Sequence, residues 1–235
     1  MALKPLASSP AGRIFSSLAD SRPWTLTRTL RSENPADING VLRGTASFTG
    51  ITGNTDSNGI NEILYREEGE MPGAGGSMAG LRWSRKYIWR LSTAPSVAST
   101  VEDGDKVIGV WFVKLQKPPT DTKGANGSPV GDRDEADYVF HELEFRGEIG
   151  SDEGVAALEF KAAIPPPVSE ADTRIMIAHG QHLCVKDDYE TIYAFRVAND
   201  PPGQVLSWSS RHIVIGPRKH QDIMNLYSRD VIDDR

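Results

Sequence analysis

The segment His179-Gly180-Gln181-His182-Leu183-Cys184 resembles a set of metal ligands more than any other part of this sequence. In an extended strand, His182 and Cys184 point to one side and His179 to the other. Imidazole and thiolate suit zinc or copper, but one segment supplies only part of a ligand set. We therefore expect no metal. The favoured interpretation is that Cys184 is a small buried hydrophobe and that the histidines hydrogen-bond in a turn, while His182 is kept as a metal-free acid–base group.

His141 is a second candidate for proton transfer. Strand alternation places it on one face with apolar side chains, namely Val139, Leu143 and Phe145. Loss of solvent lowers the pKa of a histidine and keeps it neutral, which suits either a general base or a core histidine. The core interpretation is favoured, because the sequence does not place a partner. His212, which shares a face with Trp208, is expected to line a barrel interior or to lie half-exposed.

Arg28 shares a strand face with Trp24, Leu26 and Leu30, so its guanidinium is predicted to be buried. A buried charge needs a partner, and Glu67 or Glu142 could supply the carboxylate. The run Gly216-Pro217-Arg218-Lys219-His220 is basic in an acidic protein. Arg218 could therefore bind a ligand carboxylate or phosphate, although such runs are more often solvated turns.

Common catalytic signatures are absent from the sequence. There is no Gly-x-x-x-x-Gly-Lys phosphate loop, and the cluster Gly73–Gly76 lacks the third glycine and the βαβ context of a dinucleotide site. Gly75–Ala79 approaches a nucleophile elbow but ends in alanine and lies between strands. We therefore expect no cofactor.

Hydrophobic periodicity predicts one helix and about ten strands. Ser9 caps the helix, Pro10 occupies its first position, and Ile14, Phe15 and Leu18 form its apolar face. Period-two alternation then predicts strands at 24–30, 40–49, 62–69, 82–91, 106–115, 138–147, 154–163, 173–178, 189–197, 205–215 and 221–229. Many short strands without a crossover helix indicate an antiparallel sandwich or barrel.

The chain is interpreted as one domain over residues 1–235, with a flexible surface insertion at 116–136 that is rich in glycine and proline and holds almost nothing apolar to bury. The net charge of −6 makes duplex nucleic acid an unfavourable partner. No apolar stretch approaches the roughly 20 residues of a membrane span. A single cysteine and the lack of a secretory signal predict a reduced, cytoplasmic protein. The oligomeric state stays open, a homodimer included.

A series of fragments resembles a known family. In order they are Trp24–Arg28, Gly40–Phe48, Leu64–Gly69, Arg85–Trp89, Phe140–Leu143, His182–Tyr189 and Trp208–Lys219. Together they resemble a family of small proteins known only as a domain of unknown function, over about Trp24 to Arg229. Its compact members look like calycin-type barrels, which often close one end by stacking an arginine on the first-strand tryptophan. Trp24 with Arg229 or Arg218 fits that role. The resemblance implies a fold and no activity.

We therefore predict an all-β, antiparallel, calycin- or lipocalin-like barrel of eight to ten strands with a short N-terminal helix. The preferred function is a cofactor-free isomerase, cyclase or lyase that acts by acid–base chemistry on a small apolar metabolite inside the barrel. The alternative is a non-catalytic carrier of a small apolar or aromatic ligand. The proposed catalytic residues are His141, His182, Arg28 and Glu67, and the proposed ligand-binding residues are Trp24, Tyr65, Tyr87, Trp89, Trp208, His212 and Arg218.

Overall fold

The computed structural model describes residues 9–20, 22–51, 55–56, 59–71, 80–93, 106–115, 134–149, 162–169, 171–184, 186–217 and 219–229. Within these ranges, one helix, α1 (Pro10–Leu18), precedes twelve strands. These are β1 (Trp24–Ser32), β2 (Gly40–Gly50), β3 (Thr55–Asp56), β4 (Gly59–Ile60), β5 (Glu62–Glu70), β6 (Arg82–Thr93), β7 (Lys106–Val113), β8 (Ala136–Ile149), β9 (Thr173–Cys184), β10 (Asp187–Ala198), β11 (Val205–Ile215) and β12 (His220–Ser228).

Ten of these strands form a closed antiparallel barrel, in the order β1-β12-β11-β10-β9-β8-β7-β6-β5-β2. Every neighbouring pair runs antiparallel, and β1 closes the barrel by pairing with both β2 and β12. The strands β3 and β4 form a separate two-stranded hairpin. The all-β barrel with a short N-terminal helix is thus confirmed, at the upper end of the predicted strand number. In the described part of the chain, no helix is long and apolar enough to cross a membrane.

Helix α1 packs across one end of the barrel. Ser9 caps it as predicted, since its Oγ accepts a hydrogen bond from the backbone N of Gly12 at 3.2 Å. The apolar side chains Ile14, Phe15 and Leu18 are at most 2% exposed. The Oγ of Ser17 accepts a hydrogen bond from the backbone N of Val205, where β11 begins. This end of the barrel is called the capped end below, and the opposite end is called the mouth.

Trp24 lies at the capped end, fully buried, with the guanidinium of Arg229 stacked 4.1 Å from its ring centre. The ring of Trp24 also meets Trp208 edge to face, with centroids 6.5 Å apart. The predicted stacking of Arg229 on Trp24 is confirmed. Arg218, the other arginine considered for this role, lies outside the described residues.

A β-bulge in β8 changes the predicted alternation around His141. Val110 pairs with His141 and Trp111 pairs with Val139, so Phe140 is an extra residue on β8. Phe140 and His141 are therefore both buried, whereas Val139 is 39% exposed. The expected common face of Val139 and His141 was wrong, because the bulge reverses the direction of the side chains before it.

The ladder between β8 and β9 covers only the half of these strands near the capped end. It runs from Ile149 and Ile175 to Glu144 and His179. Toward the mouth, the described residues 136–143 and 180–184 have no backbone pairing with each other. This unpaired stretch is called the seam below.

An extended segment, 162–169, lies against the outer face of β10 and β11. The Oγ of Ser209 donates to the carbonyl of Ala163, and Arg196 donates to the carbonyls of Pro165 and Pro166. The sequence predicted a strand at 154–163, but its last two residues, 162 and 163, are not in a strand. The rest of that predicted strand lies outside the described residues. The same holds for most of the predicted insertion at 116–136. The sequence also underestimated β9, which continues to Cys184.

Candidate functional site

The barrel holds a cavity of about 280 Å³ between its middle and its mouth. Aromatic rings form most of its wall. Ten aromatic residues, three cations, one carboxylate and two histidines belong to its lining. They are Tyr65, Tyr87, Trp89, Phe112, Tyr138, Phe140, Tyr189, Tyr193, Trp208, Tyr227, Arg28, Arg85, Lys219, Glu67, His182 and His212. Inward positions alternate along each strand, which is why Arg85, Tyr87 and Trp89 of β6 all reach the same space.

Arg28 and Glu67 form a buried ion pair in the wall of the cavity. The Nη2 of Arg28 lies 2.8 Å from both carboxylate oxygens of Glu67, and the two residues are 4% and 1% exposed. The Nε of Arg28 donates to the Oδ1 of Asn225 at 2.6 Å, and the guanidinium packs 5.1 Å from the ring centre of Trp83. Burial acts to lower the pKa of Arg28, but the Glu67 carboxylate, Tyr227 and Tyr65 together outweigh it, so the pKa is raised and Arg28 stays charged.

This pair is the centre of a longer hydrogen-bond network. Tyr65 donates to the Oε2 of Glu67 at 2.6 Å, and its hydroxyl lies 2.9 Å from that of Tyr227. On the other side, the Nδ2 of Asn225 donates to the Oγ of Ser210. Strand register explains this row, because Asn225 of β12 lies opposite Arg28 of β1 and also opposite Ser210 of β11.

His212 ends the network, with both ring nitrogens occupied. Its Nδ1 lies 3.0 Å from the Oγ1 of Thr191, and its Nε2 lies 3.2 Å from the Oγ of Ser210. Burial, followed by the charge interactions with His141, Arg28 and Arg85, holds the pKa of His212 well below its usual value. The imidazole is therefore neutral at physiological pH.

The phenols of the cavity stay protonated. Burial is the first cause that raises the pKa of Tyr65, Tyr193 and Tyr227 well above the usual value, and the Glu67 carboxylate adds to it. Burial also raises the pKa of Tyr87, against the opposing charge of Arg85. Each phenol thus keeps its proton and does not act as a base.

His141 does not line the cavity, but it contacts a residue that does. Its Nε2 lies 2.9 Å from the hydroxyl of Tyr193, and burial lowers its pKa to about 3. The imidazole of His141 crosses β9 at Gly180. A Cβ added to Gly180 would lie only 2.5 Å from the Cδ2 of His141, so the ring needs the glycine there. Its Nδ1 is buried without a hydrogen-bond partner among the described residues. His141 therefore bridges the seam from β8 to β10.

His182 and Cys184 both face the cavity near the mouth, as their alternation predicted, and His179 is on the other face of β9. The ring of His182 lies between Phe140 and Tyr189, with centroids 5.2 and 6.1 Å away. Cys184 is exposed rather than buried. Within the described ranges, no group of three or more His, Cys, Asp or Glu side chains is arranged to hold a metal ion.

Most of the residues predicted for the site do meet at this cavity. Arg28, Glu67 and His182 line it, together with the predicted ligand-binding residues Tyr65, Tyr87, Trp89, Trp208 and His212. Two placements need correction. Trp24 is part of the core at the capped end, because it lies at the first position of β1, and His141 lies behind Tyr193. Arg218 is outside the described residues.

Tyr193, Asn225 and Tyr227 also line the cavity, and none of them is among the site residues predicted from the sequence. A signal for the last two was present, since Ile223, Asn225 and Tyr227 are spaced two residues apart along β12 and thus face inward together. An asparagine on an apolar strand face needs a hydrogen-bond partner, as does an arginine. Only the strand register, however, places Asn225 beside Arg28.

Comparisons with known proteins identify the family of this chain. No curated protein and no solved structure matches the chain. A model described as a family of unknown function (DUF6314) matches residues 21–229. The predicted resemblance to a domain of unknown function, over about the same residues, is confirmed. With nearly the whole described barrel inside the match, the chain belongs to this family of unknown function.

Proposed function

We propose that the barrel binds one small, flat, aromatic or apolar molecule in this cavity. The observation that carries the proposal is the wall, in which rings from seven strands surround a space that continues to a row of polar side chains. At about 280 Å³, the cavity lies at the lower edge of the range for small-molecule sites, roughly 300–1,000 Å³. A solid core would fill this volume with side chains.

The polar row supports binding with a fixed orientation. Both carboxylate oxygens of Glu67 and both ring nitrogens of His212 already have partners within the protein. A network satisfied in this way is rigid and offers a ligand only its remaining donors. Such an arrangement selects one end of a ligand without requiring a chemical step.

The proposed function is tested by filling the cavity. Val214 lines the cavity, while the preceding residue, Ile213, lies on the outer face of β11. Val214→Trp is expected to abolish the one-to-one binding of naphthalene derivatives measured by calorimetry, and Ile213→Trp is expected to leave it unchanged. Failure of every naphthalene derivative to bind, or equal binding by Val214→Trp, would overturn the proposal.

A cofactor-free isomerase, cyclase or lyase at the same site is the second candidate. The supporting observation is that guanidinium and protonated phenol groups face the same space as His182, which combines donors for a developing oxyanion with a group for proton transfer. Native mass spectrometry of protein from its own source would identify a retained molecule. Excess of that molecule should then be converted by the wild type and not by His182→Phe, whereas a carrier would leave it unchanged with both proteins.

A further inference from the structure

The described lining of the cavity is cationic, although the chain as a whole carries a net charge of −6. Three cations, Arg28, Arg85 and Lys219, face one carboxylate, Glu67. The charge of Arg28 is balanced by Glu67, because the Nη2 of Arg28 lies 2.8 Å from both carboxylate oxygens of Glu67. The excess positive charge therefore belongs to Arg85 and Lys219, which are near the mouth.

Arg85 extends over the cavity from β6. Its Nε lies 3.9 Å from the Oε1 of Glu67, at the limit of an ion pair, and its side chain is 50% exposed. Arg85, Tyr87 and His212 line the same space, and the charge of Arg85 acts to lower the pKa of both neighbours. The oxygens of Glu67 accept shorter hydrogen bonds from Arg28 and Tyr65, and Arg85 lines the cavity beside them. Because a guanidinium has five N–H donors, Arg85 keeps donors that a ligand at the mouth can use.

Lys219 approaches the mouth from the turn between β11 and β12. Its Nζ donates to the hydroxyl of Tyr189 at 2.7 Å and lies 5.5 Å from the centre of that ring. Asp187 is also close enough to interact with it electrostatically. Lys219 is thus partly neutralised, and Arg85 is the stronger of the two cationic contacts for a ligand.

Hydrogen-bond directions favour the same kind of ligand. The phenol of Tyr87, the guanidinium of Arg85 and the ammonium of Lys219 line the cavity and are hydrogen-bond donors, whereas its one carboxylate already accepts from Arg28 and Tyr65. A ligand that pairs with such a wall must bring acceptors. Charge-assisted bonds from arginine to an oxygen anion are the strongest pairing available here.

We infer that the ligand is a flat aromatic acid with a single oxygen anion, whose ring lies among the aromatic side chains and whose anion contacts Arg85 at the mouth. This inference rests on the proposed binding function and names the chemical class of the ligand. Arg28 contacts Glu67 at 2.8 Å and Arg85 approaches it only to 3.9 Å, so Arg85 can pair with one further negative charge. Arg85 is the residue that determines this specificity.

Three naphthalene probes of matched size test the inference by calorimetry: 2-naphthoate, the uncharged 2-naphthalenemethanol and the cationic 2-naphthylmethylammonium. The wild type should bind 2-naphthoate about tenfold more tightly than the uncharged probe, which is the scale of one charge-assisted hydrogen bond. It should bind the cation most weakly. Added salt should weaken only the binding of 2-naphthoate.

Arg85→Met should remove this preference while it keeps the affinity for the uncharged probe. Arg82→Met is the matched control, because Arg82 lies on the same strand but outside the cavity lining, and it should leave the preference intact. Equal binding of the uncharged probe and 2-naphthoate by the wild type, or an equal effect of Arg82→Met, would overturn the inference and leave the proposed function standing. If none of the three probes binds, the proposed function fails as well.

Discussion

The two ends of the barrel differ in what fills them. At the capped end, the side chains of Ile14, Phe15, Leu18, Trp24 and Phe48 meet with no more than 2% exposure. Toward the mouth, the same strands carry arginine, glutamate, asparagine, histidine and tyrosine around open space. One sheet thus supports a close-packed apolar core and a polar cavity at different heights along its strands.

This difference indicates how the fold tolerates a polar interior. The free-energy cost of burying an unpaired charge is far larger than the gain from a buried ion pair. The polar side chains around the cavity must therefore form hydrogen bonds and ion pairs with one another. The capped end buries apolar side chains, which stabilises the fold, and the mouth does not provide this stabilisation. We expect stability to depend most on packing at the capped end and on pairing at the mouth.

The largest expected effect comes from breaking the buried ion pair. Arg28→Met leaves the Glu67 carboxylate buried without its main partner and should lower the free energy of unfolding by about 3–5 kcal/mol in chemical denaturation. Arg28→Met/Glu67→Met removes both charges and should recover most of this loss. A double variant that is less stable than the single one would contradict the role of the pair.

Removal of a buried apolar side chain at the capped end should lower the stability nearly as much as breaking the ion pair. It should not change ligand binding. Leu18 is fully buried beneath α1, so Leu18→Ala should cost about 2–5 kcal/mol of stability. Ser16→Ala, on the exposed face of the same helix, is the control. At a temperature where both variants are folded, each should bind 2-naphthoate as the wild type does. A loss of affinity in Leu18→Ala would show that the two ends are coupled.

The buried histidines should make stability depend on pH. The pKa of His141 is about 3 in the folded protein and near 6.5 when the chain is unfolded, so the unfolded state binds more protons between these values. Stability is therefore lost as the pH falls from 6.5 toward 3, with a slope of about 1.4 kcal/mol per pH unit from this residue. His141→Phe should flatten the profile in this window while His212 keeps a slope of the same sign. Parallel profiles for the two proteins would disprove the assignment.

At the capped end, the stacking of Arg229 on Trp24 should contribute a smaller amount. Arg229→Met keeps part of the apolar contact and removes the charge, so we expect a loss of about 1 kcal/mol. Arg22 pairs with the same carboxylate, Asp20, but is 63% exposed, and Arg22→Met should change stability little. Equal losses in thermal denaturation would mean that only the ion pair matters.

The smallest effect is expected for the segment between β7 and β8. The sequence of residues 118–132 contains almost no large apolar side chain. Its replacement by a short Gly/Ser linker should therefore change the free energy of unfolding by no more than about 0.5 kcal/mol. A fall of many degrees in the thermal midpoint would show that this segment packs against the barrel.

Alternation in the sequence was enough to predict the barrel and part of the cavity. It placed Arg28 on an inward face, required a carboxylate partner and offered Glu67, which is correct. It failed at His141, because a bulge adds one residue and has no clear mark in the sequence. It also failed at Tyr193 and Asn225, whose roles come from register across neighbouring strands. Register depends on how all ten strands close together, which a local pattern does not contain.

The seam between β8 and β9 has a consequence for the motions of the barrel. Near the mouth, the wall is closed there by the ring of His141, which crosses Gly180 to reach Tyr193, rather than by backbone hydrogen bonds. Local opening should therefore begin at this line, and the amide hydrogens of residues 180–184 that face β8 should exchange with solvent faster than those of β11 and β12. Gly180→Ala displaces the ring and should accelerate that exchange further. Opening of this line would give a ligand inside the barrel a second exit beside the mouth, so its residence time would depend on one side chain that never touches it.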